Sequence, residues 1–251
     1  GPVRIVGTGL LGSSVGLALR ALGVDVILAD PSRTALAIAR DMGAGRLPSD
    51  DDGPVALVVV AAPPDVVADV VAHELSAHPG AVVTDVASVK TSVRDTLAEA
   101  GADLERYVGS HPMAGRERSG PTAARGQLFA ARPWVIVDSG RSSDEDLLAV
   151  RSLAVDLGAV PVTMDAEGHD GAVALVSHLP QVAASLVAAR LAGAQDEALA
   201  LAGQGLRDTT RIAASDAALW AGILAANAAP VRELLVGLRE DLDRAIDALD
   251  A

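Results

Sequence analysis

The sequence predicts an α/β fold in which a mostly parallel sheet covered by helices is followed by an all-helical domain. Three features of the 251 residues carry that expectation. Short β-branched runs alternate with helix-period segments through the first 165 residues, and strand–helix–strand alternation implies a parallel sheet. The β signal then stops, and every later segment has helical periodicity. Between the first strand and the first helix lies a glycine-rich turn, Gly7-Thr8-Gly9-Leu10-Leu11-Gly12.

In chain order, the β-branched and apolar runs predict strands at residues 3–6, 25–29, 56–60, 81–84, 107–109, 133–137 and 160–163. The early strands are separated by helical stretches at 12–22, 32–42, 65–76 and 88–100. Beyond Asp165, residues 167–191, 196–202, 216–226 and 230–249 read as helices joined by breaks containing Gly or Asn. The last of these repeats apolar residues at Leu234, Leu235, Leu238, Leu242 and Ile246, which is a helical stripe. The expected division is therefore an α/β domain over 1–165 and a helical domain over 166–251. The aromatic side chains are Tyr107, Phe129, Trp134 and Trp220, so the core must be built from Val, Leu and Ala. Large aliphatic helix faces commonly end in a subunit interface, which makes one the default expectation for the helical half.

Composition removes several classes of function. The chain has 33 acidic against 20 basic residues and no Lys/Arg-rich run, which argues against nucleic acid or an anionic membrane as its main partner. With no cysteine, there are no disulfides, thiolate nucleophiles or cysteine-ligated metals. The longest unbroken apolar stretch, residues 55–62, is shorter than the roughly 20 residues a bilayer requires. No charged-then-apolar leader precedes the first strand, so a cytoplasmic protein without a membrane partner is expected.

The glycine run points to a dinucleotide. Gly7 permits a tight turn, Gly9 lets a pyrophosphate approach the backbone, and Gly12 lets the helix sit close to the strand. The phosphates then meet free N–H groups at the helix start, where Leu10 and Leu11 stand. Asp30 closes the second strand, 18 residues past Gly12. A carboxylate there accepts hydrogen bonds from ribose hydroxyls and repels a 2′-phosphate, which selects NAD over NADP. Arg33, close by, softens that preference.

Three stretches are polar in ways that packing does not require. The first is Asp85-Val-Ala-Ser88-Val-Lys90, just past a strand; Ser88 can cap the next helix, and Lys90 can be a solvated first-turn residue. The second places His111 between Ser110 and Pro112, with Gly109 and Gly115 nearby, and reads as a constrained loop. Histidine titrates near neutrality and suits proton transfer, though lone loop histidines are commonly incidental. The third holds Arg207 and Arg211, four apart and so on one helical face, followed by Trp220. Two guanidinium groups suit a ligand with two carboxylates; the bland alternative pairs them with Asp208 or Asp216. Upstream, His169 and His178 are nine apart and face opposite ways on a helix, which argues against a two-histidine metal site. His178 and Gln181 can converge, and Pro180 between them suggests a kink. No metal site is expected.

These segments together resemble the prephenate/arogenate (cyclohexadienyl) dehydrogenases of tyrosine biosynthesis. The resemblance runs through GTGLLG at 7–12, DVASVK at 85–90, HPMAGRERSG at 111–120, HD…SHLP at 169–180 and RDTTRIAASD…LW at 207–220. It implies a Rossmann-like NAD-binding domain, a helical dimerisation domain forming a homodimer, and an active site in the interdomain cleft. By the same resemblance, His111 accepts the proton of the ring hydroxyl while Ser88 orients His111 and the nicotinamide. Arg211 binds a substrate carboxylate, Trp220 lines the pocket, and His178, counted with the substrate-binding residues, matches the first histidine of the family's SHLPH-type segment. Gln181 stands where many members have a second histidine, and Arg116 where some have threonine. Both fall near the substrate's side chain. The expected activity is NAD-dependent oxidative decarboxylation of prephenate to 4-hydroxyphenylpyruvate. The alternative is arogenate dehydrogenase, giving tyrosine, or dual specificity. A β-hydroxyacid dehydrogenase would need a lysine in the helical half, whereas the chain's one lysine is Lys90. A non-catalytic NAD-binding dimer is disfavoured by the presence of Ser88, His111 and Arg211.

Overall fold

The first strand, Val3–Val6 (β1), lies inside a sheet, paired in parallel with Val26–Ala29 (β2) on one side and Leu57–Val60 (β3) on the other. The computed structural model describes residues 1–115 and 119–250. Val82–Asp85 (β4), Tyr107–Pro112 (β5), Pro133–Val137 (β6) and Val160–Met164 (β7) complete the order β2-β1-β3-β4-β5-β6-β7. Every pairing is parallel except β5 with β6. The chain runs from β1 outward to β2 and then crosses to β3 on the far side of β1. The glycine loop after β1 therefore sits where the strand order reverses, the place where open α/β sheets bind ligands. This is a Rossmann-like arrangement.

The helices Leu10–Ala21 (α1), Arg33–Asp41 (α2), Val67–Ala77 (α3) and Thr91–Glu99 (α4) follow the expected stretches within a few residues. A fifth, Asp144–Asp156 (α5), has no counterpart in the sequence reading. Its signal was nonetheless present: Ser143 accepts from the Asp146 N–H, and Asp144, Glu145 and Asp146 fill the positive first turn. The sheet is buried on both faces, and the period of two is visible along β3. Val59 joins Ile5, Leu28, Val108 and Trp134 in one core layer; Val58 and Val60 join Val71, Val83 and Leu97 in the other. Phe129 packs on Trp134 with ring centroids 5.0 Å apart.

Between β4, α4 and β5 lies a buried polar node. The Asp85 carboxylate accepts from Tyr107 Oη at 2.6 Å and from the Ala87 N–H at 2.8 Å, and it pairs with Lys90 Nζ. The Asp85 carbonyl accepts from Ser110 Oγ at 2.8 Å, and Thr84 Oγ1 bonds Ser110 Oγ at 3.0 Å. Lys90 is 1% exposed, so it is not the solvated residue that its position near a helix start allowed.

Two compact units, Gly1–His169 and Asp170–Ala251, make up the chain. One continuous helix, Ala166–Arg190, contains Ala166–Val173 (α6), a π-turn at Ala174–His178 and Leu179–Arg190 (α7). Pro180 has no N–H to give the carbonyl four residues back, and the turn before it widens, with Leu179 N donating to Ala174 O. The expected kink is thus a π-bulge. By length and a mean hydropathy of 1.6, this helix is long and apolar enough to cross a bilayer. His169, Asp170 and His178 interrupt its apolar sequence. Further on come Asp196–Leu199 (α8), Gln204–Thr210 (α9), a 3₁₀ turn at Arg211–Ala214, Ala217–Ala226 (α10) and Ala228–Leu249 (α11). Helix α9 carries Arg207 and the 3₁₀ turn begins at Arg211, the two residues whose spacing suits one helical face.

The buried node generates a stability prediction. Lys90→Met strands the Asp85 charge and is expected to lower stability by about 3–5 kcal/mol in urea unfolding, whereas Tyr107→Phe costs only about 1 kcal/mol. Equal, small losses for the two variants would contradict the node as described.

Candidate active site

The three loop glycines are required for three different reasons. Gly7 has φ +97°, and a Cβ there would fall 2.3 Å from the Ala61 carbonyl oxygen. A Cβ on Gly12 would lie 1.9 Å from the Gly7 oxygen and 3.1 Å from Ala61 Cβ, so only glycine lets α1 sit against β1 and β3. At Gly9 neither constraint applies: its φ is −71°, and nothing lies within 4 Å of where a Cβ would stand. The open space lies over the start of α1, where Leu10, Leu11 and Gly12 bring N–H groups that have no carbonyl four residues back. Leu10 and Leu11 are half-buried, and Leu11 packs against the core beneath. Asp30 follows β2 and accepts from Thr8 N at 2.6 Å, Thr8 Oγ1 at 2.8 Å and Ser32 N at 2.7 Å. Its carboxylate therefore ties the glycine loop to the end of β2. Arg33 is exposed at the first position of α2. This loop fits a dinucleotide.

Ser88 is half-buried in the connection from β4 to α4. It does not cap α4, whose N-cap is Lys90 without a side-chain hydrogen bond. His111 lies in β5, opposite Val135 of β6, and is 9% exposed; it is not on a loop. The strand runs on past Gly109 because the residue before Pro112 favours extended backbone and the antiparallel partner continues. His111 Nδ1 is 2.9 Å from Nε2 of His169 on α6, with the rings edge-on at 74°. His169 is fully buried, and sequence spacing gave no hint of this partnership. Arg116 lies outside the described residues.

In the second unit, His178 is buried, and its Nδ1 accepts from Asn227 Nδ2 at 3.1 Å, since the amide nitrogen can only donate. Asn227 Nδ2 also donates to the Asp170 carbonyl at 2.8 Å. Asn227 was not anticipated. Trp220 is half-buried and edge-on to His178, with centroids 5.9 Å apart. Gln181 is buried, and its Nε2 donates to the Ile212 carbonyl at 3.0 Å, beside Arg211. Helical backbone continues through Arg211 at the α9 terminus, and Arg207 and Arg211 are both exposed. Among the described residues neither pairs with a carboxylate. Asp208 is bonded by Gln204 Nε2 at 2.8 Å, and Asp216 caps α10 through Leu219 N at 2.8 Å. A cavity of about 340 Å³ lined by Arg4, Ile27, Asp52, Val55 and His78 includes none of the candidate residues.

Residues 15–163 match the family model for the nucleotide-binding domain of prephenate dehydrogenase, and residues 165–251 match its dimerization domain. The chain belongs to the prephenate dehydrogenase family. That family makes it an oxidoreductase enzyme with a nucleotide-binding N-terminal domain. It is 45% identical to the probable prephenate dehydrogenase NovF of Streptomyces niveus over 246 residues, 98% of this chain and 68% of that protein. Among solved structures, prephenate dehydrogenase from A. aeolicus, in complex with hydroxyphenyl propionate and NAD+, superposes with a TM-score of 0.88. The two are 27% identical, with 99% of this chain and 90% of that one covered. Synechocystis arogenate dehydrogenase gives a TM-score of 0.83 at 27% identity, covering 100% and 92%.

Different roles for the loop glycines predict different responses. Gly12→Ala, which collides with backbone, is expected to lower Tm by about 3–10 °C. Gly9→Ala is expected to leave Tm within about 3 °C and weaken nucleotide binding at least about tenfold by calorimetry. Similar Tm losses for both would place Gly9 in a structural role only.

Proposed function

We propose that this enzyme is an NAD-dependent prephenate dehydrogenase that converts prephenate to 4-hydroxyphenylpyruvate. The observation that carries the reading is convergence along one sheet edge. Gly7 follows β1, Asp30 follows β2, Ser88 follows β4 and His111 closes β5, and these strands are mutually parallel. Nucleotide loop and proton acceptor thus share the carboxyl edge of one sheet.

The start of α1 and Asp30 would hold NAD, which when bound would supply the two-electron oxidant for loss of hydride from the carbinol carbon C4. His111 draws the hydroxyl proton onto its ring and returns it to the phenolate oxygen once the ring carboxylate has left as CO2. Aromatisation makes the step irreversible. Ser88 orients His111 and the nicotinamide end. Arg211 binds one substrate carboxylate as a bidentate partner, Arg207 adds positive charge, and Trp220 and His178 form an aromatic wall. Asp30 favours NAD over NADP because a 2′-phosphate would meet its charge. The dimerization-domain match and the exposed Leu175, Val176 and Leu186 support a homodimer through the helical unit.

A second reading, arogenate as substrate, rests on Gln181. One of its two amide N–H groups is engaged by Ile212 O, and its amide oxygen is an acceptor that suits an ammonium better than a keto group.

The test is absorbance in the NADH band with prephenate and arogenate, each with NAD and NADP. Turnover of at least one substrate with NAD, far ahead of NADP, is expected; none with either substrate would overturn the assignment. Arg211→Ala should raise KM about a hundredfold and leave NAD affinity unchanged. An equal loss of NAD binding would misplace that residue. Gln181→His should shift the kcat/KM ratio toward prephenate, more at pH 6 than at pH 8, because only imidazolium carries charge. A ratio unmoved at both pH values would show that position 181 does not read the side chain.

A further inference from the structure

The reaction requires a lone pair on the His111 nitrogen that faces the substrate. In β5 that ring is not isolated: its Nδ1 is 2.9 Å from Nε2 of His169, with the latter fully buried and the former nearly so. Two ring nitrogens at this distance share one proton. If His169 donates it, His111 keeps its own proton on Nε2 and has no basic nitrogen to offer. If His111 donates from Nδ1, Nε2 is a lone pair ready to accept. Only the second arrangement supports general-base chemistry.

We propose that His169 is a positioning residue that accepts the Nδ1–H of His111 and so fixes His111 as the tautomer with a basic Nε2. This rests on the reading of His111 as proton acceptor. When His111 takes the hydroxyl proton, the same hydrogen bond becomes charge-assisted and stabilises the imidazolium without placing a second full charge in the core. The local architecture holds His169 firmly. Asp165 Oδ1 accepts from Gly168 N at 2.6 Å, and the Asp165 carbonyl accepts from His169 N at 3.0 Å. Arg94 clamps Glu167 with two bonds of 3.0 and 2.8 Å, tying the first turn of α6 to α4. That ion pair, together with Asp95, holds the Arg94 guanidinium well above its ordinary range. A Cβ at Gly168 would fall 2.7 Å from Asp165 Oδ1, so glycine is what the cap permits.

Tautomers are read directly from long-range ¹H–¹⁵N correlations of the ¹⁵N-histidine-labelled full chain at pH 8, with His111→Gln assigning the signal. The expected result is a protonated Nδ1 and a bare Nε2 on His111. His169→Gln, whose amide oxygen can still accept, should preserve that tautomer and most of kcat. His169→Leu should move the proton to Nε2 and lower kcat by about ten- to a hundredfold, with KM within about twofold. A proton on Nε2 in the unaltered protein, or an unchanged tautomer in a folded His169→Leu variant, would overturn the proposal. If His169→Leu fails to fold, the unaltered protein and His169→Gln still decide it. The expected tautomers without turnover of either substrate would uphold this assignment and overturn the functional one.

Discussion

The carboxylate of Asp85 is the constraint on which the α/β unit's chemistry depends. It is fully buried at the end of β4 and is satisfied by Tyr107, Lys90 and the Ala87 amide. A buried charge without such partners would be costly, so β4, the turn after it and β5 must keep one relative placement. That placement sets two candidate groups. Ser88 follows the turn that Asp85 organises, and His111 lies one residue past Ser110, whose hydroxyl bonds the Asp85 carbonyl.

A similar constraint appears at the other end of the site. Asp30 lies at the tip of β2 and bonds Thr8 on the glycine loop, so one carboxylate shapes the loop. In the helical unit, Gln181 does the same for the Arg211 turn through the Ile212 carbonyl. Single polar side chains here hold backbone in place. Substitutions at such positions should not be read as loss of one contact alone.

Much of this was legible in the sequence because it depends on local chemistry. The glycine spacing, the period-two strands and the family segments each identify themselves within about ten residues. The strand β1 was placed to the residue, and Asp30 was located by its distance from Gly12. What was not legible depends on pairing across the chain. His111 read as a loop residue because nothing local announces that β6 will extend β5 through Pro112. For Lys90 the sequence allows a solvated first-turn residue, because burial is set by the surrounding core and not by its near neighbour Asp85. His169 and Asn227 escaped notice because a buried histidine or asparagine gains its meaning from a partner 58 or 49 residues away. Helix α5 is different: its Ser-Asp-Glu-Asp start is a local capping signal in the sequence.

The central claim is that hydride loss at the carbinol carbon is coupled to loss of CO2 from the opposite ring carbon and that His111 accepts the proton. The most direct measurement follows NADH formation and CO2 release together for the unaltered enzyme and for His111→Gln, with NAD binding measured alongside. One CO2 per NADH is predicted, with both signals falling together by about three orders of magnitude in the variant and nucleotide affinity unchanged. NADH formed without CO2, or turnover undiminished in His111→Gln, would contradict the account.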